Sequence, residues 1–256
     1  MVIIVIENII NDIKINVSKP IHSFNVLELA PLVWFDASDP DTITSSGGLV
    51  SQWDDKSGNG YDVTQGSAVN QPTLINNTIS FDGSNDYLFR SESFMYSENQ
   101  TVIAFMVLSS SGDDFDRILC ERSTSDPDSE YNLIRTGSTS QGTRGAFIIV
   151  NDAGTSTGVT NLSGTGFFDN SKHVYMVEDD LSNFTASKDG IYESSVAYSR
   201  PTTPITLNRF AIGARVSGVS SGYAEIDVNE IIIFQRDLTL SQKSEINTHL
   251  LNKWGV

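Results

Sequence analysis

The chain is short of cysteine, of positive charge and of long apolar runs. Its one cysteine, Cys120, has no partner within the chain, so no internal disulfide braces the fold. Cys120 lies between Leu119 and Glu121 in an apolar stretch, where it is expected as a buried packing residue rather than a reactive thiol. Basic residues number 16 against 32 acidic ones, a formal net charge of −16. Binding to a nucleic-acid backbone needs cationic side chains to displace counterions, so that class is excluded. Attraction to an anionic bilayer is disfavoured on the same ground. No stretch approaches the roughly 20 apolar residues that cross a bilayer as a helix. Met1 to Ile6 are apolar, but no basic region precedes them and Glu7, Asn8, Asn11 and Asp12 interrupt the run. That is not the pattern of a signal peptide, and a soluble protein is expected. His22, His173 and His249 are scattered without metal spacing, and no zinc pattern, nucleophile elbow or phosphate loop is present.

What the chain has is serine, threonine, asparagine, aspartate and glycine, the composition of many short strands joined by polar turns. At 256 residues it suits one large β-sandwich or two small domains, with a substantial core in either case. Residues 1–28 stand apart. Val2, Ile4 and Ile6 alternate, and Ile9, Ile10, Ile13 and Ile15 continue at mixed spacing up to Pro20. This reads as an apolar arm that docks on its own domain, on a neighbouring copy or on a larger assembly; an ordinary first strand is the other reading.

From Leu32 the pattern is strand, turn, strand. Candidate strands are Leu49 to Trp53, Ile79 to Phe81, Thr101 to Leu108, Ala146 to Val150, His173 to Val177, Phe184 to Ser187, Phe210 to Ala214 and Ile226 to Phe234. The nearly continuous apolar run at 101–108 suits a strand covered on both faces. Residues 109–130 and 151–170 read as long loops. At the end, Thr239-Leu240-Ser241-Gln242 fits a capping box, and Ile246, Leu250 and Trp254 recur every four residues along one helical face.

Several segments carry a family resemblance: Val33-Trp34-Phe35-Asp36-Ala37-Ser38-Asp39, Gln52-Trp53-Asp54-Asp55-Lys56-Ser57-Gly58, and the closing strand Ile226 to Phe234 with Leu238 and the terminal helix. Together they resemble the laminin-G-like, concanavalin A-like jelly-roll family. The resemblance implies an all-β, two-sheet antiparallel jelly-roll sandwich over residues 29–256, with a short C-terminal helix and the arm at 1–28. Such domains occur in adhesins, bacterial surface proteins, polysaccharide-active enzymes and bacteriophage virion proteins, so the fold alone leaves the function open.

Three sets of residues are candidates for chemistry. Glu225-Ile226-Asp227-Val228-Asn229-Glu230 matches the Glu-x-Asp-x-x-Glu pattern of one group of retaining glycoside hydrolases on the same fold. Strand alternation with a bulge would bring such carboxylates into one cleft as nucleophile and general acid. Here the motif lies on the last strand rather than mid-chain, and Gly222-Tyr223 stands where a tryptophan usually precedes it. The expectation is therefore a protein that is not an enzyme. The second set is acidic: Asp113, Asp114 and Asp116, followed by Asp126, Asp128 and Glu130, with Asp114 and Asp116 the foremost Ca²⁺ ligands. The third is aromatic. Trp34 and Trp53 lie in scaffold motifs and are expected in the core, whereas Tyr131, Tyr192, Tyr198 and Tyr223 lie in or near loops where a sugar could stack.

The leading expectation is a phage-like virion decoration or fibre protein on the particle surface, joined to copies of itself or to other virion proteins through residues 1–28. The first alternative is a carbohydrate-binding lectin module, calcium-assisted, recognising cell-surface glycans from a bacterial extracellular or cell-surface setting. The second is a glycoside hydrolase using Glu225, Asp227 and Glu230.

Overall fold

The structure is a computed structural model that describes residues 24–111, 116–125, 129–136, 145–159, 166–201, 205–216 and 220–256. Among the described residues, seventeen strands alternate with turns before a closing α-helix. They are β1 (Val33–Asp36), β2 (Ile43–Ser46), β3 (Leu49–Trp53), β4 (Val63–Thr64), β5 (Thr73–Ile75), β6 (Thr78–Asp82), β7 (Leu88–Arg90), β8 (Val102–Ser110) and β9 (Arg117–Arg122). There follow β10 (Glu130–Thr136), β11 (Gly145–Val150), β12 (Ser156–Val159), β13 (His173–Asp179), β14 (Asn183–Lys188), β15 (Ile191–Ala197), β16 (Arg209–Ile212), β17 (Glu225–Phe234) and the helix α1 (Leu240–Trp254).

The pairings, all antiparallel, make two layers. The first runs β15-β14-β13-β8-β17, with β6 and β1 end to end along the far flank of β17. The second runs β12-β11-β10-β9-β16-β7-β4-β3-β2. Strand β5 pairs with β6 and, at Leu49↔Thr73, with β3, which stitches the layers along one border. This is the all-β jelly-roll sandwich with its C-terminal helix that the sequence implies.

Strand β8 shows why its apolar run is nearly unbroken. Ala104, Met106 and Leu108 point into the core between the sheets, beside Phe35, Trp53, Phe147, Phe184 and Phe210. Ile103, Phe105 and Val107 face the other way, under α1, beside Ile232, Phe234, Ile246 and Leu250. Both faces are covered, so both parities must be apolar. Each such fully buried side chain contributes roughly 1.5–3 kcal/mol relative to exposure.

The helix is placed by the residues that the capping pattern named. Thr239 Oγ1 accepts from the Gln242 amide at 3.2 Å, and Gln242 Oε1 accepts from the Thr239 amide at 2.9 Å. Gly255 ends the helix in the left-handed region at φ 66°. Residues 1–23 of the sequence-defined arm lie outside the described residues. Phe24 and Val26, at the end of that arm, pack with Leu29 on the same apolar layer as the helix.

Two loop expectations need correction. Residues 109–130 hold β9 and the end of β8, and residues 151–170 hold β12. The β9 segment, Arg117-Ile118-Leu119-Cys120-Glu121-Arg122, begins with a half-buried arginine and ends with Glu121 and Arg122, charges that the sandwich buries, which hides its strand character in the sequence. Cys120 is buried as expected, and burial raises its thiol pKa well above the ordinary value.

Candidate functional site

The motif residues near the two ends of the sandwich are engaged with one another. Asp55 accepts from the amides of Trp34 at 2.9 Å, Ser57 at 2.9 Å and Tyr61 at 3.1 Å. Lys56 bridges Asp36 at 2.9 Å and Asp39 at 2.8 Å. Burial works against the Asp36 carboxylate, but hydrogen bonds from Lys253, Ser38 and Lys56 outweigh it and hold its pKa down to about 2. Trp53 is in the core, as expected; Trp34 lies beneath the helix on the outer layer. These residues build the scaffold.

The three carboxylates of the Glu-x-Asp-x-x-Glu motif do not meet in one cleft. The strand does carry a bulge: β17 pairs Val228 with Leu108 but Glu230 with Val107, so Asn229 is the extra residue. Glu225 and Asp227 are exposed and line an open polar groove with Ser80, Asp82, Ser109 and Asn170. Glu230 is fully buried elsewhere, accepting from Trp34 Nε1 at 2.7 Å, Trp254 Nε1 at 2.6 Å and Lys253 Nζ at 2.7 Å.

Of the foremost calcium ligands, Asp114 lies outside the described residues, as do Asp113, Asp126 and Asp128. Asp116 is buried, its amide donating to Thr136 Oγ1 at 2.9 Å. Among the described residues no three His, Cys, Asp or Glu side chains gather as a metal-holding group. Glu130 is buried among arginines: Arg122 at 2.7 Å, Arg215 at 3.1 Å and Arg117 at 3.3 Å. Burial and the neighbouring Arg117 charge lower the Arg135 pKa to about 10, against the pull of Glu130.

The four tyrosines separate sharply. Tyr131 is in the core, its hydroxyl donating to Asp179 at 3.0 Å. Tyr198 also donates to Asp179, and Tyr223 packs toward Tyr87. Tyr192 alone of the four is largely exposed, at 63 %.

Tyr192 stands on a groove between α1 and the β14–β15 hairpin, with a volume of about 430 Å³. That lies within the range of roughly 300–1,000 Å³ typical of small-ligand sites. The floor is apolar, Phe105 of β8 and Met176 of β13. On one side Thr185 and Ser187 of β14 stand beside Tyr192, which the strand register places opposite Ser187. On the other, α1 presents Leu240, Lys243, Ser244 and Asn247. The hairpin turn is Asp189-Gly190, both residues left-handed at φ 52° and 77°, the signature of a tight two-residue connection.

The groove's charges are tied down. Lys243 Nζ lies 2.6 and 2.7 Å from the two oxygens of Glu178. Asp189 contacts His173 Nδ1 at 2.6 Å and accepts from the Val174 amide at 2.9 Å. Asn247 is nine-tenths buried, and its Oδ1 has no hydrogen-bond partner among the described residues. Sequence reasoning named Tyr192 but missed Glu178, Lys243 and Asn247. Their convergence depends on α1 folding back over the first sheet, which no local spacing reveals.

No family model matches the chain, and no curated protein matches it. Solved structures do. A Trypanosoma rangeli sialidase in complex with sialic acid matches over 88% of this chain and 33% of its own, at 12% identity and a TM-score of 0.57. The binding domain of botulinum neurotoxin DC, in complex with rat synaptotagmin II, matches over 89% and 52%, at 12% identity and a TM-score of 0.58. A structure of botulinum neurotoxin type C, whose cell entry depends on interaction with two ganglioside molecules, matches over 88% and 52%, at 11% identity and 0.55. The chain thus spans about a third of the sialidase and half of the toxin chains. At these identities the likeness establishes the sandwich fold. It also corrects the expectation that this chain is not an enzyme: the same sandwich occurs within sialidase chains, so the fold gives no ground for that exclusion.

Proposed function

We propose that this protein is a carbohydrate-binding module, and that the groove between α1 and the β14–β15 hairpin holds the sugar. The observation that carries the reading is Tyr192, an exposed aromatic beside a groove with an apolar floor and hydroxyl, amide and charged groups on its walls. A pyranose ring has one apolar C–H face and a rim of hydroxyls. It suits a rigid aromatic surface that costs little entropy to order, with polar groups at the edge to fix orientation. Solved structures that share the fold lend support, since one is a sialidase holding sialic acid and another is a toxin that depends on gangliosides. The likeness favours this reading over a phage-like virion protein, the leading expectation from sequence.

The test is saturable binding of the full chain to immobilised glycans, with Tyr192→Ala as the paired variant. Loss of the aromatic surface is expected to weaken binding about tenfold or more, the effect of losing a stacking contact near 1.4 kcal/mol. A folded wild-type protein that retains no glycan would overturn the reading.

A further inference from the structure

We infer that the groove selects an uncharged pyranose, a neutral hexose or an N-acetylhexosamine, and discriminates against sialic acid and other acidic sugars; this rests on the carbohydrate-binding reading above. The likeness to sialic acid- and ganglioside-dependent proteins points the other way, but the side chains in the groove decide which sugar it accepts.

Recognition of a sugar carboxylate calls for a cation with free donors, most effectively a forked guanidinium. Among the described residues no arginine lines this groove, and the one cation that does, Lys243, is held by both oxygens of Glu178 at 2.6 and 2.7 Å. A second carboxylate, Asp189, lies at the hairpin tip. The charged lining residues are thus two carboxylates, Glu178 and Asp189, against one ammonium, Lys243. The whole chain adds a net charge of −16, which repels an anion further before it arrives. An acidic sugar would have to displace Glu178 from Lys243 and leave that carboxylate half-buried without its partner.

A neutral sugar meets no such conflict. Its ring can lie on Tyr192, while its hydroxyls find Thr185, Ser187 and the ion pair, whose oxygens keep acceptor capacity after pairing. Asn247 adds an amide at the floor of the wall, where its unpartnered Oδ1 leaves acceptor capacity unused. A ligand N–H reaching it after a small side-chain movement would make an N-acetyl group a favoured substituent.

The experiment titrates the full chain in solution with lactose, N-acetylglucosamine and sialyllactose, following ligand-induced changes in protein signals. Wild type, Tyr192→Ala and Glu178→Gln are compared after each is shown to be folded. The expected result is saturable binding of lactose or N-acetylglucosamine that Tyr192→Ala weakens, with sialyllactose at least about tenfold weaker than lactose. Glu178→Gln, which frees Lys243, is expected to raise the preference for sialyllactose over lactose severalfold relative to wild type. Sialyllactose binding as tightly as lactose in a Tyr192-dependent way overturns the selectivity while leaving the carbohydrate-binding reading intact. Neutral-sugar binding indifferent to both substitutions overturns the assignment to this groove. Absence of binding to all three sugars and to the immobilised glycans overturns the functional reading itself.

Discussion

Asn247 of α1 and Gly190 at the tip of the β14–β15 hairpin approach so closely that a Cβ on Gly190 would lie 2.6 Å from Asn247 Nδ2. Gly190 also sits at φ 77°, where an L side chain is strained. Any other residue at this position takes on backbone strain and pushes the Asn247 side chain aside.

Gly190→Ala is accordingly expected to destabilise the fold by about 1–3 kcal/mol, from backbone strain together with displacement of Asn247. The same change should weaken sugar binding, because both walls of the groove move. Urea unfolding measures the first effect and lactose titration the second. Unchanged stability and affinity would mean that hairpin and helix are not in contact.

Glu230 and its two neighbours on the motif should behave oppositely. Glu230→Ala leaves two indole N–H groups without their acceptor and takes from Lys253 one of its two carboxylates, Asp36 at 2.8 Å remaining, and is expected to cost about 2–4 kcal/mol. Glu225→Gln and Asp227→Asn alter exposed side chains and should stay within about 0.5 kcal/mol of wild type. Denaturant midpoints of the three variants compare them directly.

Glu121 makes stability depend on pH in an unusual sense. It is fully buried at the core's edge, where its carboxylate accepts from the amides of Phe94, Met95 and Tyr96. Burial outweighs those bonds and raises its pKa from 4.5 to about 7. The folded protein then holds this proton more tightly than the unfolded chain does. The associated stability is full below pH 4.5 and is lost as the pH rises through about 7. Asp36 and Asp169, held down to about 2, act in the opposite direction, but only as pH falls below their ordinary value of 3.8. Between pH 4.5 and about 7, Glu121 alone should make stability fall with rising pH by as much as about 1.4 kcal/mol per unit. Glu121→Gln should flatten that slope in urea titrations run from pH 5 to 7.

Cys120 should resist thiol reagents in the native state and react on unfolding, since burial both shields the sulfur and disfavours the thiolate. Labelling with and without denaturant tests this. Rapid native labelling would place the sulfur at the surface.

Much of the architecture was legible where local rules and tertiary packing agree. The 101–108 run announced a strand covered on both faces, and Thr239 with Gln242 marked the helix start. Strand β15 was not legible, because Ile191-Tyr192-Glu193-Ser194-Ser195-Val196-Ala197 forms an edge with little buried surface. A strand without a dry face shows little hydrophobic alternation. The groove was half legible: Tyr192 could be named as an aromatic near a loop, but Glu178 of β13 and Lys243 and Asn247 of α1 join it only through the tertiary fold. Likewise the closing strand was legible from its apolar run, but nothing local showed that Trp34 and Trp254 would close over Glu230.

The position of β17 has a consequence for how the molecule comes into being. This strand lies between β8 on one flank and β1 and β6 on the other, so the first sheet lacks its middle until Glu225–Phe234 has been synthesised. During translation, the apolar edge of β8 must wait for a partner made more than a hundred residues later. Contacts this distant in sequence slow folding and leave an aggregation-prone edge open meanwhile. Nascent chains arrested before Glu225 should therefore depend heavily on chaperones, whereas chains extended through α1 close that edge themselves.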